Sequence, residues 1–456
     1  MSYIKNTQQL LSHGNPEVRK VLLEIIEAAL AKADPYRATK ELVQIQDDQL
    51  MVGDLKFDLN PQPRIYIIGT GKATFPIVRA LEDMLGDRIT DGLVICKYGQ
   101  EGSLARSKLC LASHPIPDES GLKYAQKTLA LAGQTRPGDI VLSCITGGSS
   151  ALMPLPVSGV SLEEKKKVNE LLLTCGANIF EINAVRKHLS QIKGGFLAKQ
   201  IHPQTRLINL TVSDVIGDAL DYITCPTVPD TSTFDDARAT MTKYDLWEKV
   251  PARVRNHLKN GGPHQETPKA GDLADHLIHN FVLLGADVAC KGATEKAKQM
   301  GLETMVLSTM FEGESKELGG TFAAIAREIV SNHQPLVPPC VIIGGGETTV
   351  KIDGAAGSGG PNQEFAVAVA LGINNIGNVG AAGVDSDGTD GPTDLAGGLV
   401  DAYTLTEAAE SGIDLFACLK QHDVSTALKA IGGAIETGAT GTNVNDLKIM
   451  VILPKT

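Results

Sequence analysis

Short apolar segments alternate with amphipathic stretches along most of the chain. Four apolar runs are typical of strands that are buried on both faces of a sheet: residues 65–68, 92–96, 140–145 and 207–212. The spacing between them predicts helices over residues 74–85 and 122–131, and Ser161 with Glu164 predicts a capped helix start. Strands and helices in alternation predict a parallel sheet that is covered by helices.

The first amphipathic stretch follows Asn15 and Pro16, which together are typical of a helix start. Apolar residues then recur at helical spacing at Val18, Leu22, Ile25 and Ala29. We therefore expect the chain to open with an amphipathic helix.

The alternation lapses between about Trp247 and Ala270, where glycine and proline interrupt mixed polar residues. We place one domain over residues 1–255, a linker over 256–275 and a smaller domain over 276–456. The pattern in the smaller domain predicts strands and helices in turn, namely strands at 281–284, 304–307, 341–343 and 447–453 and helices at 287–300 and 315–329. The sequence thus predicts two α/β domains with a cleft between them.

Composition and charge exclude several classes of partner. The chain has 456 residues, of which 43% are hydrophobic and 21% charged, a balance that suits a globular protein with sizeable cores. Its 42 Lys and Arg face 53 Asp and Glu, and the net charge of -11 provides no cationic field for nucleic acid or an anionic membrane. Aromatic residues make up 4%, too few to suggest a stacking platform for single strands.

The cysteines and the N-terminus carry further expectations. The eight cysteines include no Cys-x-x-Cys pair, so they suggest neither a zinc framework nor a disulfide scaffold. Residues 1–16 lack the apolar segment of a signal peptide, and the longest uncharged windows are interrupted by Gly, Ser, Pro or Asn. We expect a cytoplasmic protein with no membrane span.

The sharpest local signal is the segment Gly69-Thr70-Gly71-Lys72-Ala73, between a predicted strand and a predicted helix. In a parallel sheet this position puts Lys72 at the carboxyl edge, near amides that favour a phosphate or carboxylate. The segment matches neither the P-loop nor the dinucleotide-binding fingerprint. The alternative is an ordinary strand-to-helix turn with a solvated lysine.

A second loop of this kind follows the strand at 140–145. Gly147, Gly148, Ser149 and Ser150 could offer amides and hydroxyls to the same anion. Two such loops at one sheet edge favour a binding site more than either loop does alone. The alternative is a glycine turn with a serine cap.

Basic and acidic side chains follow in the same half of the chain. Arg186, Lys187 and then Lys193 could bind a carboxylate or a phosphate, although a solvated basic helix face has the same spacing. Asp214 and Asp218 come just after the strand at 207–212, where Asp214 suits a Mg²⁺ ligand or a general base.

The second half contains three polar segments and a histidine pair. Residues 344–349, after the strand at 341–343, and residues 357–364, which open a predicted helix, resemble anion-facing loops. Residues 385–394 hold four aspartates, which suit Mg²⁺ with phosphate but fail the EF-hand spacing; a solvated turn is the alternative. His276 and His279 fall on a predicted helix and lack the His-Glu-x-x-His form of a zinc site.

Taken together, these motifs resemble the glycerate 2-kinase family, also called class II glycerate kinases, whose C-terminal part is the MOFRL domain. The resemblance covers nearly the whole chain through motifs that keep their order: GTGKA at 69–73, HPIPD at 114–118, TGGSSAL at 146–152, VRKHLSQIKGG at 185–195, SDVIGD at 213–218, CPTVPDTST at 225–233, GGGETTV at 344–350, GGPNQE at 359–364, DSDGTDGPTD at 385–394 and TGTNVNDL at 440–447.

This resemblance implies a Rossmann-like N-terminal domain, a smaller MOFRL-type domain, and transfer of the γ-phosphoryl group of ATP to the 2-hydroxyl of D-glycerate with Mg²⁺ or a similar cation. Phosphoryl transfer needs mainly positioning and positive charge, which these residue types supply. The expected partners are glycerate and ATP, with neither nucleic acid nor membrane, and a homodimer is one option for the assembly.

The resemblance also implies roles for individual residues. We assign catalysis to Lys72, Asp214 and Arg186. The residues assigned to nucleotide or phosphate binding are Gly71, Gly147, Gly148, Ser149, Ser150, Gly345, Gly346 and Glu347. The residues assigned to substrate are Lys72, Arg186, Lys187 and Asn362, and those assigned to the metal are Asp214, Asp385 and Asp387.

One departure from the family keeps two other functions open. Family members often read GGRNQE where this chain reads GGPNQE, so Pro361 replaces an arginine. A nucleotide-binding regulatory protein with impaired catalysis is therefore one alternative. The other is a hydroxypyruvate reductase-type oxidoreductase, against which the missing dinucleotide fingerprint argues.

Overall fold

The computed structural model describes residues 2–215, 217, 219–223, 225–352, 354 and 356–454. Its strands are β1 (Val43–Gln46), β2 (Gln49–Val52), β3 (Leu55–Asp58), β4 (Ile65–Thr70), β5 (Ile89–Lys97), β6 (Lys108–Ala112), β7 (Ile140–Ile145), β8 (Arg206–Val212), β9 (Leu277–Leu284), β10 (Glu303–Phe311), β11 (Cys340–Gly346), β12 (Val379–Asp385), β13 (Gly397–Asp401), β14 (Ala434–Ile435) and β15 (Asp446–Ile452).

The helices are α1 (Thr7–Leu10), α2 (Pro16–Lys32), α3 (Pro35–Leu42), α4 (Thr74–Leu85), α5 (Glu119–Ala132), α6 (Ser149–Leu152), α7 (Leu162–Thr174), α8 (Ile179–His188), α9 (Phe196–Gln200), α10 (Leu220–Ile223), α11 (Phe234–Lys243), α12 (Ala252–Asn260), α13 (Val288–Gln299), α14 (Ser315–Asn332), α15 (Pro361–Gly372), α16 (Thr404–Glu410), α17 (Leu415–Lys420) and α18 (Val424–Ala430).

The chain forms two compact units. The parallel-sheet unit comprises Pro35–Ser213 and Asp218–Leu283, and the mixed-sheet unit comprises Met1–Asp34, Asp214–Gly217 and Leu284–Thr456. These ranges differ from the predicted boundary, because residues 1–34 belong with the C-terminal half and the predicted linker at 256–275 belongs to the parallel-sheet unit. Apolar periodicity shows which face an element buries but not which sheet that face contacts.

The parallel-sheet unit is built on strands in the order β6-β5-β4-β7-β8-β9. Pairing from β6 through β8 is parallel throughout, which confirms the parallel sheet predicted from the four apolar runs. Helix α4 has the predicted bounds, and α7 begins with the predicted capping box of Ser161 and Glu164. The carboxyl ends of the paired parallel strands therefore lie at one edge of the sheet.

The mixed-sheet unit has the order β10-β11-β15-β12-β13-β14, in which β10 and β11 are parallel and the other pairs are antiparallel. The predicted runs at 304–307, 341–343 and 447–453 correspond to β10, β11 and β15. Helix α15 is buried along most of its length, in contact with α14, β12 and β13. This unit is therefore an α/β domain, as predicted, but its sheet is mixed.

Helix α2 begins at the predicted start signal, after the short helix α1: the Asn15 side chain accepts a hydrogen bond of 3.2 Å from Val18 N, and Pro16 occupies the first turn. The apolar face of α2 packs on α13, β12 and β15. In β12, a Cβ on Gly380 would lie 2.6 Å from Val18 Cγ1, so glycine permits this close approach.

Strand β9 lies at the edge of the parallel sheet, so the predicted strand at 281–284 belongs to a different unit from the one expected. His279 lies in β9 and His276 precedes it, so the helix predicted for this pair is wrong. Within the described part of the chain, no helix combines the length and the apolar character needed to cross a membrane.

Candidate functional site

The loops that follow β4 and β7 lie side by side and are joined through their main chains. Thr146 N donates to Thr70 O at 2.9 Å, and Lys72 N donates to Gly147 O at 2.9 Å. The two strands are parallel neighbours, so their loops emerge at the same sheet edge. The structure thus brings together the two glycine-containing loops that the sequence singled out.

Buried hydroxyl groups connect the same loops to the start of α4. Thr74 Oγ1 donates to Cys144 O at 2.8 Å, and Ala73 N donates to Thr146 Oγ1 at 3.2 Å. Thr74 and Thr146 are both fully buried. These bonds give the loop around Lys72 a defined backbone conformation.

Two glycines allow the loops to approach each other. Gly71 has a φ of +133°, and any Cβ there would collide with Thr146. Gly148 has a φ of +85°, and a Cβ there would lie 3.1 Å from His114 Nε2 and 3.3 Å from Lys72 Cγ. The half-buried Lys72 side chain therefore lies over Gly148, close to His114. The sequence analysis assigned His114 no role, because its motif alone gives no chemistry.

A second set of cations lies near this loop pair. Lys193 Nζ donates to Ser150 Oγ, and the Lys193 residue is 6% exposed. Lys165 is 3% exposed, and its Nζ donates to Leu189 O at 3.0 Å. Arg186 is half-buried and donates through Nε to Asn169 Oδ1 at 3.1 Å. We call Lys165, Arg186 and Lys193 the cation cluster.

Burial, with smaller contributions from the charges of Lys193 and Arg186, lowers the pKa of Lys165 to about 7. Burial also lowers the pKa of Lys193, with Arg186 contributing. The sequence analysis missed Lys165 because it starts a run of three lysines that looks solvated. The available signal was its spacing, since Leu162, Val168 and Leu172 lie on the same buried face of α7.

Lys187 has a different setting from the substrate contact that was predicted. It is 1% exposed, and its Nζ lies 2.6 Å from Asp221 Oδ1 and 2.9 Å from Asp230 Oδ1. Burial opposes its charge, but the Asp230 and Asp221 carboxylates leave the pKa of Lys187 raised. Lys187 is therefore held by two carboxylates in the structure, and its role as a substrate contact stays a prediction.

Asn362 likewise belongs to a buried network and not to an exposed substrate surface. It is 0% exposed, and its Nδ2 donates to Asp390 Oδ1 at 3.0 Å and Asp446 Oδ1 at 2.7 Å. Its Oδ1 accepts from Lys448 Nζ at 2.5 Å, and Lys448 also pairs with Asp446 at 2.9 Å. We call Asn362, Asp390, Asp446 and Lys448 the aspartate network.

Asp390 anchors the start of α15. Its two carboxylate oxygens accept from Asn362 N at 3.0 Å and Gln363 N at 2.9 Å. Burial, together with the charge of Asp446, raises the pKa of Asp390 to about 6. Pro361 occupies the first turn of α15 after an extended Gly360, so proline fits the backbone at this position.

The predicted phosphate contacts at Gly345 and Gly346 lie inside strand β11, where they pair with Leu447 and Asp446 of β15. Gly346 has a φ of +131°, and a Cβ there would collide with the backbone of Phe311. These two glycines therefore serve close packing within the sheet. Glu347 is exposed, and its N donates to Phe311 O at 2.9 Å.

The carboxylates assigned to a metal mostly make hydrogen bonds in turns. Asp387 N donates to Asp385 Oδ1 at 2.9 Å, and Asp387 Oδ1 accepts from Thr389 N at 2.8 Å. Asp214 Oδ2 accepts from Asn443 Nδ2 at 2.7 Å.

Across residues 2–454, leaving out 216, 218, 224, 353 and 355, no three His, Cys, Asp or Glu side chains converge as metal ligands. Ile216 and Asp218 of the predicted acidic segment lie outside the described residues.

Comparison with known proteins identifies the family. The family model described as "Domain of unknown function (DUF4147)" matches residues 21–259, and the MOFRL family model matches residues 340–446. A glycerate 2-kinase of Pyrococcus horikoshii is 42% identical over 442 residues, covering 96% of this chain and 98% of that protein. The chain belongs to the glycerate 2-kinase family.

Further members show the same extent of similarity. A D-glycerate 2-kinase of Thermotoga maritima is 38% identical over 443 residues, covering 96% of this chain and 100% of that protein. A crystal structure of a glycerate kinase from Thermotoga maritima matches with a TM-score of 0.80 at 36% identity, over 96% of this chain and all of that one. A Pyrococcus horikoshii crystal structure matches with a TM-score of 0.77 at 42% identity, over 96% and 99%.

Proposed function

We propose that this protein is a kinase that transfers the γ-phosphoryl group of ATP to the 2-hydroxyl of D-glycerate, giving 2-phosphoglycerate and ADP. The observation that carries the proposal is the position of Lys72: it belongs to the loop after β4 and lies over Gly148 of the loop after β7, and the two loops are joined through their main chains. Relatives named glycerate 2-kinase and D-glycerate 2-kinase, at 42% and 38% identity over nearly the whole chain, support it.

This geometry suits phosphoryl transfer, because such enzymes act mainly by positioning the reactants and stabilising negative charge. In the proposed reaction the Lys72 ammonium neutralises charge on the transferring group. The amides of Gly147 and Gly148 and the hydroxyls of Ser149 and Ser150 hold the phosphates. A divalent cation is proposed to arrive with ATP, as is common where substrate phosphates supply ligands. Asp214 keeps its proposed role as general base or cation ligand.

The direct test replaces Lys72 with methionine, which keeps the length of the side chain and removes its charge. We expect turnover of D-glycerate and ATP in a coupled ADP-release assay to fall by about 10²- to 10³-fold, as for other preorganised electrostatic groups. Lys199→Met is the matched control, because Lys199 is an exposed lysine of α9 in the same unit.

The position of the transferred phosphate can be read by phosphorus NMR of the product. A signal from 3-phosphoglycerate, or wild-type turnover by Lys72→Met, would contradict the proposal.

Two alternatives have a specific observation in their favour. An Agrobacterium vitis relative, 36% identical over 454 residues, is provisionally named a hydroxypyruvate reductase. Oxidation of NADH with hydroxypyruvate in the absence of ATP would support that activity. Pro361, in place of the family arginine, favours a regulatory protein that binds nucleotide without turnover. Calorimetric ATP binding with no ADP release would support that second alternative.

A further inference from the structure

The cation cluster concentrates positive charge inside the parallel-sheet unit without matching negative charge. Its three members donate to neutral oxygens: the Leu189 carbonyl, the Asn169 amide and the Ser150 hydroxyl. Among the residues that the structure describes, no carboxylate lies within 4.0 Å of these three cationic groups. The cluster therefore differs from an ordinary internal ion pair.

Such an arrangement is energetically unfavourable unless an anion completes it. Burying a charge is costly even after relaxation, and like charges close together add to that cost. The lowered pKa of Lys165 reports the same conflict, because burial and its two cationic neighbours all oppose its charge. A bound anion would remove that opposition.

The neighbouring Lys187 shows how the chain neutralises a lysine whose role is structural. It follows Arg186 directly in α8, and Asp221 and Asp230 both contact its ammonium group. The chain thus supplies two carboxylates to one buried lysine and none, among the described residues, to the cluster beside it. This contrast points to a ligand as the missing partner.

Lys193 connects the cluster to the proposed site of phosphoryl transfer. Its ammonium group donates to the hydroxyl of Ser150, which belongs to the loop that lies against Lys72. We infer that Lys165, Arg186 and Lys193 bind the carboxylate of the hydroxy-acid substrate, an inference that rests on the proposed kinase function. The substrate hydroxyl would then be directed toward the loop pair.

The first experiment is calorimetric titration of D-glycerate in the absence of nucleotide, with wild type, Lys165→Met and Lys193→Met. Losing one charge-assisted hydrogen bond should raise the Kd by about 10- to 100-fold. Lys167→Met is the matched control, since Lys167 is an exposed lysine of the same helix and should keep the wild-type Kd. Glycerol, which lacks the carboxylate, should bind all variants equally weakly.

Steady-state kinetics show whether the cation cluster binds the carboxylate of D-glycerate or a phosphate of ATP. The expected result is a KM for D-glycerate raised by about tenfold or more in Lys165→Met, with a KM for ATP within about twofold of wild type. A raised KM for ATP with an unchanged KM for glycerate would overturn the inference. So would wild-type affinity for D-glycerate in both folded variants.

Failure of the proposed function gives a different result. One possible result is that wild type binds D-glycerate but does not phosphorylate it, while Lys165→Met binds it more weakly. The kinase proposal then fails and the carboxylate site stands. If wild type is an active kinase and both variants keep its KM, the function stands and the site fails. Should Lys165→Met not fold, Lys193→Met and Arg186→Gln carry the same comparison.

Discussion

The cation cluster and the aspartate network both bury ionic groups, but they differ in how completely those groups are paired. In the aspartate network, Asn362 and Lys448 supply donors to the carboxylates of Asp390 and Asp446. In the cation cluster, each cation donates to a neutral oxygen, and the charges of Lys193 and Arg186 oppose that of Lys165. Burial alone therefore does not distinguish a structural network from a binding site, whereas the number of hydrogen-bond partners around each buried charge does.

The same difference separates two adjacent residues of α8. Arg186 donates to a neutral amide, while Lys187 contacts two carboxylates. The sequence analysis treated the pair as one basic surface, because adjacent positions on a helix look alike as sequence. Since they point in directions about 100° apart, their surroundings and roles differ.

The largest expected effect on stability concerns Lys187. Replacing it with methionine leaves the carboxylates of Asp221 and Asp230 buried without a cation, which should lower the free energy of unfolding by about 3–5 kcal/mol. Urea denaturation measures this loss. Lys166→Met is the matched control, because it removes a partly exposed pair with Glu163 that is worth about 1 kcal/mol or less. Equal denaturation midpoints for the two variants would refute the structural role of Lys187.

A somewhat smaller effect is expected at Asp390. Its replacement by alanine removes the acceptor for two backbone N–H groups of α15 and for the Asn362 amide, which should cost about 2–4 kcal/mol. Burial of the Asp390 charge offsets part of that loss, because it raises the pKa of this carboxyl to about 6.

Asp394→Ala is the control for the same loop, since Asp394 is exposed and pairs with Lys429 at the surface. Thermal unfolding of the two variants should differ clearly. Similar unfolding temperatures would mean that the aspartate network does not hold the start of α15.

Much of this architecture follows from local pattern. The strands β4, β5, β7 and β8 and the bounds of α4 come directly from the apolar pattern, whereas β6 was not predicted. The meeting of the two glycine loops follows from the rule that parallel strands share an edge. The local pattern does not predict which sheet α2 packs against or which sheet β9 joins, because an apolar face can pack equally well against many partners.

The long-range contacts of the assigned side chains could not be predicted from the sequence, whereas many backbone elements could. The predicted substrate contact at Asn362 came from a motif, whereas in the structure its backbone N–H and its side chain both donate to Asp390 at the start of α15. Gly345 was assigned to a loop because glycine is common there, yet it permits close packing inside a strand, near Cys290. Deciding between such roles requires the identity of long-range neighbours.

The smallest expected effect on stability is at Lys165, and its sign is opposite to that at Lys187. Methionine at this position removes a buried charge that has no counter-ion among the described residues, so we expect a gain of about 1–4 kcal/mol near or below about pH 6. The pKa of Lys165 is about 7 in the folded protein, under the opposing influence of burial, Lys193 and Arg186, against about 10.4 for an unperturbed lysine.

The gain should therefore depend on pH. Below pH 7 both states of wild type carry the proton and the full cost of the buried charge is present. Between about pH 7 and 10 the unfolded state binds more protons than the folded state, so wild-type stability rises with pH and the advantage of Lys165→Met shrinks.

Thermal unfolding of wild type and Lys165→Met at about pH 6 and about pH 9 tests this. For the control Lys167→Met, the difference in unfolding temperature from wild type should be the same at both pH values. Saturating D-glycerate at about pH 6 should stabilise wild type more than Lys165→Met, because the ligand supplies the missing negative charge. A Lys165→Met variant that is less stable than wild type at both pH values would show that the lysine is compensated inside the fold, and the contrast between the two regions would no longer hold.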